Sequence, residues 1–330
     1  VVFLGVDGGG TKTEFCLIDA QGTVVVALTT DGCSYLAVGF DGLARVLEHG
    51  VREVCGNARI AVDAIDYAFF GLPSYGESTG DLPKLDAAPS CVLPRARYRC
   101  DNDMVCGWAG SLGASDGINV IAGTGSMTYG EYAGRKARCG GWGELFGDEG
   151  SAYWIAIQGL SGFARMSDGR LPKGALYEHF RERLQLQGDL DLADVVLSQW
   201  RGDRAKIASL SRVVMDAADA GDACAQAIVG RAADELALLF AATCRSLEVP
   251  VAEPIPVSYS GGMFDSGPRF LGEFKRAMAT SHQAYSLHVP RFSPALGAAL
   301  YAAKLHGTPV SVTPPPSGAG AAADARTGAA

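Results

Sequence analysis

The chain opens on a short apolar run, Val2–Val6, that stops at Asp7. A second run, Phe15-Cys-Leu-Ile18, lies between Glu14 and Asp19, and a third, Val24-Val-Val-Ala-Leu28, follows the turn Ala20-Gln-Gly22. Short β-type runs parted by glycine turns predict antiparallel hairpins. Over 41–56 the period changes: Leu43, Val46, Leu47, Val51 and Val54 fall on one helical face. Buried strands are predicted at Tyr67–Phe70 and around Tyr98–Cys100, the latter ending at Asp101-Asn-Asp103, with a Gly/Ala-rich helix following to about 112. At 118 the pattern restarts: apolar strand Ile118–Ala122, glycine turn Gly123–Ser126, strand Met127–Tyr132, and a second turn at Ala133–Lys136. Strand, glycine turn, strand, turn repeats the order of residues 2–26, which reads as an internal duplication.

From about 150 to 247 the pattern is helical, the longest segment being 222–247 with Ile228, Val229, Leu236, Leu239, Phe240 and Leu247. Strand Ile255–Tyr259 ends at a third glycine turn, Ser260-Gly-Gly262. A helix, a strand over Ala284–Val289 and a helix over Pro294–Leu305 follow. From 307 the sequence GTPVSVTPPPSGAGAAADARTGAA has a composition that cannot build a core, and a disordered tail is predicted.

Composition narrows the function classes. The 330 residues suit about two domains, and 48% hydrophobic with 19% charged is ordinary for a globular protein. The net charge of -8, with no long Lys/Arg cluster, argues against nucleic-acid binding. No apolar run reaches the roughly 18–20 residues of a membrane span, and no signal-peptide pattern is present. Nine scattered cysteines form no C-x-x-C pair, and the five histidines form no H-E-x-x-H, so a structural zinc site is not expected. A reducing cytoplasm fits this cysteine usage.

The candidate chemistry starts at GVDGGGTKT, residues 5–13. Gly5 and Gly10 have the spacing of a Walker A loop, but the lysine comes one residue late, at Lys12. Thr13 stands where the dinucleotide pattern needs its third glycine. Both of those loops must run into a helix, whereas this one joins two strands. Gly8, Gly9 and Gly10 would let backbone N–H groups approach phosphate oxygens, Thr11, Lys12 and Thr13 would add donors, and Asp7 would orient the waters of a Mg²⁺. A glycine-rich hairpin with no ligand stays open as the alternative. Around 139–154, CGGWGELFGDEGSAYW packs five glycines (Gly140, Gly141, Gly143, Gly147 and Gly150) about Trp142 and Asp148. A buried Trp142 with Asp148 as a helix N-cap would explain those two residues but not the glycines. Asp103 carries a similar ambiguity, since Asp at a helix start is an ordinary N-cap.

Taken in order, GVDGGGTKT, the Asn102-Asp103 pair, IAGTGS at 121–126 and YSGG at 259–262 resemble the motifs of the sugar kinase–actin–heat-shock chaperone superfamily, and the 139–154 stretch is similar to the sugar signature of the N-acetylglucosamine kinases. The resemblance runs to about residue 305. It implies an α/β fold of two duplicated ribonuclease H-like, actin-type domains with an ATP and sugar cleft between them. The domains would be 1–115 with the C-terminal helix 294–306 joined to them, and 116–293 with the helical insertion, before the tail 307–330. It implies phosphorylation of an amino sugar by ATP with Mg²⁺, N-acetylglucosamine at its 6-position first, then glucosamine or N-acetylmuramate.

Residue by residue, the resemblance makes Asp103 the base that takes the sugar hydroxyl's proton. It puts Gly123, Thr124 and Gly125 on the ATP phosphates, across the cleft from the Gly8–Thr13 turn, and Gly261 and Gly262 against the adenosine. Ser34, Asn102, Ser126, Gly141, Trp142, Gly143 and Asp148 are the expected sugar contacts. Asp148 would accept from two hydroxyls at once. Ser34 departs from the family's asparagine, which puts sugar identity in doubt rather than kinase chemistry. The partners implied are ATP and the sugar, with a homodimer compatible. The rival from another class is an ATPase that activates a 2-hydroxyacyl-CoA dehydratase, whose iron–sulfur cysteine spacing is missing here; a sugar-binding regulator without turnover is a third.

Overall fold

The structure, a computed structural model, describes residues 1–308 together with Val310 and Val312; the rest of the predicted tail lies outside the described residues. The chain divides into two compact units, Val1–Ser115 with the segment from Pro290 onward, and Asp116–Val289.

The first unit is built on a five-stranded sheet of order β3-β2-β1-β4-β5. Strands β1 (Val2–Gly8), β2 (Lys12–Asp19) and β3 (Val24–Asp31) form the predicted antiparallel hairpins, with Val6 opposite Phe15 and Asp7 opposite Glu14. Strands β4 (Tyr67–Leu72) and β5 (Tyr98–Asn102) then add in parallel. Phe3, Leu4 and Val6 are consecutive or near-consecutive and all fully buried, so both faces of β1 are covered. Helix α1 (Tyr35–Ala58) packs Leu43, Leu47, Val51 and Val54 inward. It begins six residues before the periodic stretch, because Gly39, at φ 71°, interrupts the helix and breaks the register there. Short helix α2 (Leu82–Ala87) and α3 (Met104–Leu112) follow.

The last helix, α11 (Pro294–His306), belongs to this unit and lies on β1, β2 and β4. Its alanines permit an unusually close approach. A Cβ on Gly5 would fall 2.7 Å from the Ala298 carbonyl carbon, and one on Gly110 of α3 would fall 2.6 Å from the Ser293 carbonyl oxygen. Tyr301 then meets Phe69 and Trp108 edge-on, with ring centroids 5.0 and 5.4 Å apart.

The second unit repeats the plan. Its sheet has the order β10-β9-β6-β7-β8. The strands β6 (Gly117–Ala122), β7 (Ser126–Tyr132) and β8 (Arg135–Gly140) are antiparallel neighbours, while β9 (Ile255–Ser260) and β10 (Tyr285–Leu287) add in parallel. Two hairpins followed by two parallel strands is the order of the first unit, so the duplicated fold read from the glycine-turn grammar is present. The helical insertion comprises α4 (Ala152–Ser167), α5 (Ala175–Leu184), α6 (Asp191–Ala193), α7 (Arg204–Ser209), α8 (Ser211–Asp219) and α9 (Ala223–Leu247); α10 (Pro268–Met278) follows β9. Phe163, Phe180, Leu236, Phe240, Phe270 and Phe274 centre its core. The last strand is shorter than its sequence run: at the sheet edge only Tyr285–Leu287 pair with β9, and each is only half-buried.

Candidate functional site

In the first unit the predicted residues gather where the parallel strands β1, β4 and β5 end. Asp7 pairs with Gly71 across the β1–β4 ladder. Gly71 in turn lies against Asp103, since a Cβ there would stand 3.1 Å from the Asp103 Cα. The β1–β2 turn is held from below. The Cys33 N–H donates to the Gly9 carbonyl at 2.9 Å, and a Cβ on Gly8 would sit 2.6 Å from the Cys33 Sγ and 2.8 Å from the Gly71 carbonyl oxygen. Gly10 and Thr11 form the exposed tip. The other two proposed donors are engaged locally: Lys12 Nζ pairs with Glu14 at 2.5 Å, and the buried Thr13 donates its hydroxyl to the Asp31 carbonyl at 2.9 Å.

Asp103 occupies the N-cap position of α3, but its carboxylate makes no capping bond. Asn102 does that work. Its Oδ1 accepts from the Met104 N–H at 3.1 Å and its Nδ2 donates to the Tyr75 carbonyl at 3.0 Å. The ordinary N-cap explanation of Asp103 is thereby removed. Nearby, burial first, then the like charges of Asp103 and Glu14, push the Asp7 carboxyl up from 3.8 to about 8. The buried Cys106 thiol hydrogen-bonds the Asp7 side chain and lies 3.5 Å from the Val6 carbonyl. Ser34 is the N-cap residue of α1, half-buried, and makes no side-chain capping bond.

In the second unit three loops meet at the end of β6. The turn Gly123–Gly125 closes on itself, Gly123 N–H to Gly125 carbonyl at 2.9 Å, and leaves Thr124 exposed. Gly261, at φ 100°, is pressed against this turn. A Cβ there would lie 2.5 Å from the Ala122 carbonyl oxygen and 2.9 Å from the Gly123 nitrogen, so no side chain fits. Met263 N–H donates to the same Ala122 carbonyl at 3.0 Å, which carries the backbone of Gly262 past it.

The glycine-rich loop 140–151 is laced to that turn. Gly141 N–H donates to the Ser126 carbonyl at 2.9 Å, the buried Ser126 hydroxyl donates to the Glu149 carbonyl at 2.6 Å, and Ala152 N–H reaches the Gly123 carbonyl at 2.9 Å. The N-cap of α4 is Ser151, whose Oγ accepts from the Trp154 N–H at 3.1 Å, rather than Asp148. Trp142 is 73% exposed, with Leu145 and Phe146 exposed beside it. A buried Trp with an N-capping Asp is therefore not what this segment forms. Gly143, at φ 92°, turns the chain between Trp142 and Glu144.

Asp148 is buried, sits in the left-handed region at φ 58°, and accepts from Arg204 Nη2 at 2.5 Å. Arg204 also pairs through Nε with Glu144 at 3.2 Å. Sequence reasoning missed Arg204. It stands 56 residues from Asp148 in the helical insertion, and no local motif marks it. Arg138, whose Nη2 donates to the Gly141 carbonyl at 2.5 Å, was also missed, although it stands only three residues before its partner, on β8 at the edge of the glycine-rich stretch. Among the described residues no group of three or more His, Cys, Asp or Glu side chains is placed to hold a metal ion, and no helix is long and apolar enough to cross a membrane.

Against known proteins, the model of the BadF/BadG/BcrA/BcrD ATPase family matches residues 4–302. The chain belongs to the BadF/BadG/BcrA/BcrD ATPase family. Within the reach of this ATPase family match, two curated relatives align along nearly their full length. One, from Dictyostelium discoideum, is an N-acetyl-D-glucosamine kinase, 26% identical over 91% of this chain and 97% of its own. The other, from Clostridium acetobutylicum, is an N-acetylmuramic acid/N-acetylglucosamine kinase, 27% identical over the same shares. A solved structure from Chromobacterium violaceum, provisionally assigned as an N-acetylglucosamine kinase, superposes with a TM-score of 0.66 at 24% identity, covering 91% of this chain and 98% of the other. That likeness speaks to the fold.

Proposed function

We propose that this ATPase-family member is a kinase of amino sugars, moving the γ-phosphoryl group of ATP to the 6-hydroxyl of N-acetylglucosamine. The observation that carries the reading is the Asp103 carboxylate. It stands at the end of β5 beside Asp7, and the capping task that would otherwise explain it is done by Asn102. Phosphoryl transfer asks for a carboxylate that orients the attacking hydroxyl and accepts its proton as the P–O bond forms. In this reading Gly8, Gly9, Gly10 and Thr11 offer backbone N–H groups to phosphate oxygens; within the second unit Thr124 and Gly125 are the expected phosphate contacts, the Gly123 N–H being taken by the Gly125 carbonyl. Lys12 and Thr13 shape the first turn, and the backbone of Gly261 and Gly262 takes the adenosine.

Magnesium suits the carboxylates present. Burial first, and then the like charges of Asp103 and Glu14, raise the proton affinity of Asp7, and that crowding of negative charge would also draw a divalent cation. Asp7 would hold that ion, which neutralises phosphate charge when bound. The sugar is assigned to Gly141, Trp142, Gly143 and Asp148. Ser34 is a further contact, and Asn102 and Ser126 fix the backbone around it. N-acetylglucosamine is the substrate common to both curated relatives' names, which favours it over glucosamine or N-acetylmuramate. ATP use and nine free cysteines favour the cytoplasm, and a homodimer is the assembly to seek by sizing.

A coupled ADP-release assay over N-acetylglucosamine, glucosamine, N-acetylmuramate and glucose tests the reading. The expected result is release stimulated most by N-acetylglucosamine, with its 6-phosphate as product. Release that no sugar stimulates discards the kinase.

A further inference from the structure

We propose that Arg204 is a positioning residue for the sugar site, pinning the Asp148 carboxylate through Oδ2 so that Oδ1 is the oxygen turned to substrate. The inference rests on the amino-sugar reading and deepens it. Asp148 is 3% exposed, and a polar side chain that deep needs hydrogen-bond or ion-pair partners. Arg204 supplies one, Nη2 to Oδ2 at 2.5 Å, while its Nε is drawn to Glu144 at 3.2 Å. Two carboxylates on separate nitrogens of one planar group fix its orientation, which a lysine's single ammonium cannot do as well.

The pair also lies directly on the glycine turn after β6. A Cβ on Gly125 would stand 2.8 Å from both Arg204 Nη2 and Asp148 Oδ2. Gly125 is thus small because this ion pair fills the space above it. Arg204 reaches the site from outside the glycine-rich loop: it opens α7, where Asp203 Oδ1 accepts from the Lys206 N–H at 2.9 Å, and α7 packs on α4. It is an external strut on the loop that carries Asp148. With one acceptor site of Oδ2 taken by Arg204, Oδ1 is the less encumbered oxygen for substrate hydroxyls.

The test uses the full chain with Arg204→Gln, Arg204→Lys, Asp148→Asn and the double variant R204Q/D148N. Steady-state kinetics give KM for N-acetylglucosamine and for ATP, and calorimetry gives the Kd for N-acetylglucosamine. Arg204→Gln should raise the sugar KM and Kd by about ten-fold or more, as expected when a positioning contact is lost, and leave the ATP KM within about two-fold. Arg204→Lys should recover part of the loss. In the Asp148→Asn background, where the pair with Arg204 is already removed, Arg204→Gln should add no further loss in sugar Kd. A merely structural arginine would move sugar and ATP together and would keep its effect without the carboxylate. A sugar Kd within two-fold of wild type in Arg204→Gln overturns the inference, and so does an undiminished effect in the double variant. Should Arg204→Gln not fold, Arg204→Lys against Asp148→Asn decides by the same comparison. Wild-type protein that neither binds nor phosphorylates the amino sugar removes the kinase reading and this inference with it; an active wild type with an indifferent Arg204→Gln removes this inference alone.

Discussion

Asp7 and Asp103 are neighbours of like charge, and the cost falls on the more enclosed of the two. Asp7 is pushed up to about 8, by burial more than by Asp103. The folded chain therefore keeps a proton that the unfolded chain releases near 3.8. Its contribution to stability is complete below that value and is lost as pH rises through about 8. For the nucleotide-free protein, Tm should fall between pH 5 and 8.5, with a ceiling of about 1.4 kcal/mol per pH unit from this one group. Asp7→Asn should flatten the fall; an equal slope in the variant would show that other groups cause it. Asp103 has a different signature. Asp103→Ala should cut sugar-dependent turnover by about 10²- to 10⁴-fold, the usual worth of a general base, with sugar Kd changed only a few-fold. Near-normal turnover in that variant would move the base elsewhere.

Glycines mark where elements touch as well as where ligands bind, and Gly5 shows the difference. By spacing it belongs with the phosphate loop. In the fold it faces away from the turn and accepts the backbone of α11, and any side chain there collides with Ala295, Ala298 and Ala299. Gly5→Ala should destabilise the protein by about 3 kcal/mol, the upper end of overpacking costs because the obstacle is backbone. Equilibrium denaturation measures this, and a loss under about 1 kcal/mol would mean that α11 shifts easily. Much of the element pattern was legible in the sequence because it is local. Glycine turns between β-type runs gave both hairpins, and the 3.6-residue period gave the inner face of α1. What stayed hidden is long-range: the seat of α11 on Gly5, and Arg204 on Asp148. Each joins residues that no periodic or motif rule links. The Asn102-Asp103 pair was legible by position, but only the hydrogen bonds show which of the two does the capping.

At the scale of the whole chain, one unit is continuous in sequence and the other is not. Asp116–Val289 contains its entire sheet, its helical insertion and a large apolar core. The first unit needs α11, which arrives only after the second unit is complete. Without that helix the β1, β2 and β4 face would expose Phe3 and Phe69, both fully buried in the intact unit. Burying such a side chain is worth about 1.5–3 kcal/mol, and a unit of this size has only about 5–15 kcal/mol in hand. Residues 116–289 expressed alone should therefore be soluble and unfold cooperatively. Residues 1–115 alone should not, and adding a peptide spanning 290–308 should restore cooperative unfolding. Circular dichroism melts of the two fragments, with and without the peptide, make the comparison. A cooperative melt of 1–115 by itself would show that the closing helix is dispensable to the unit it covers.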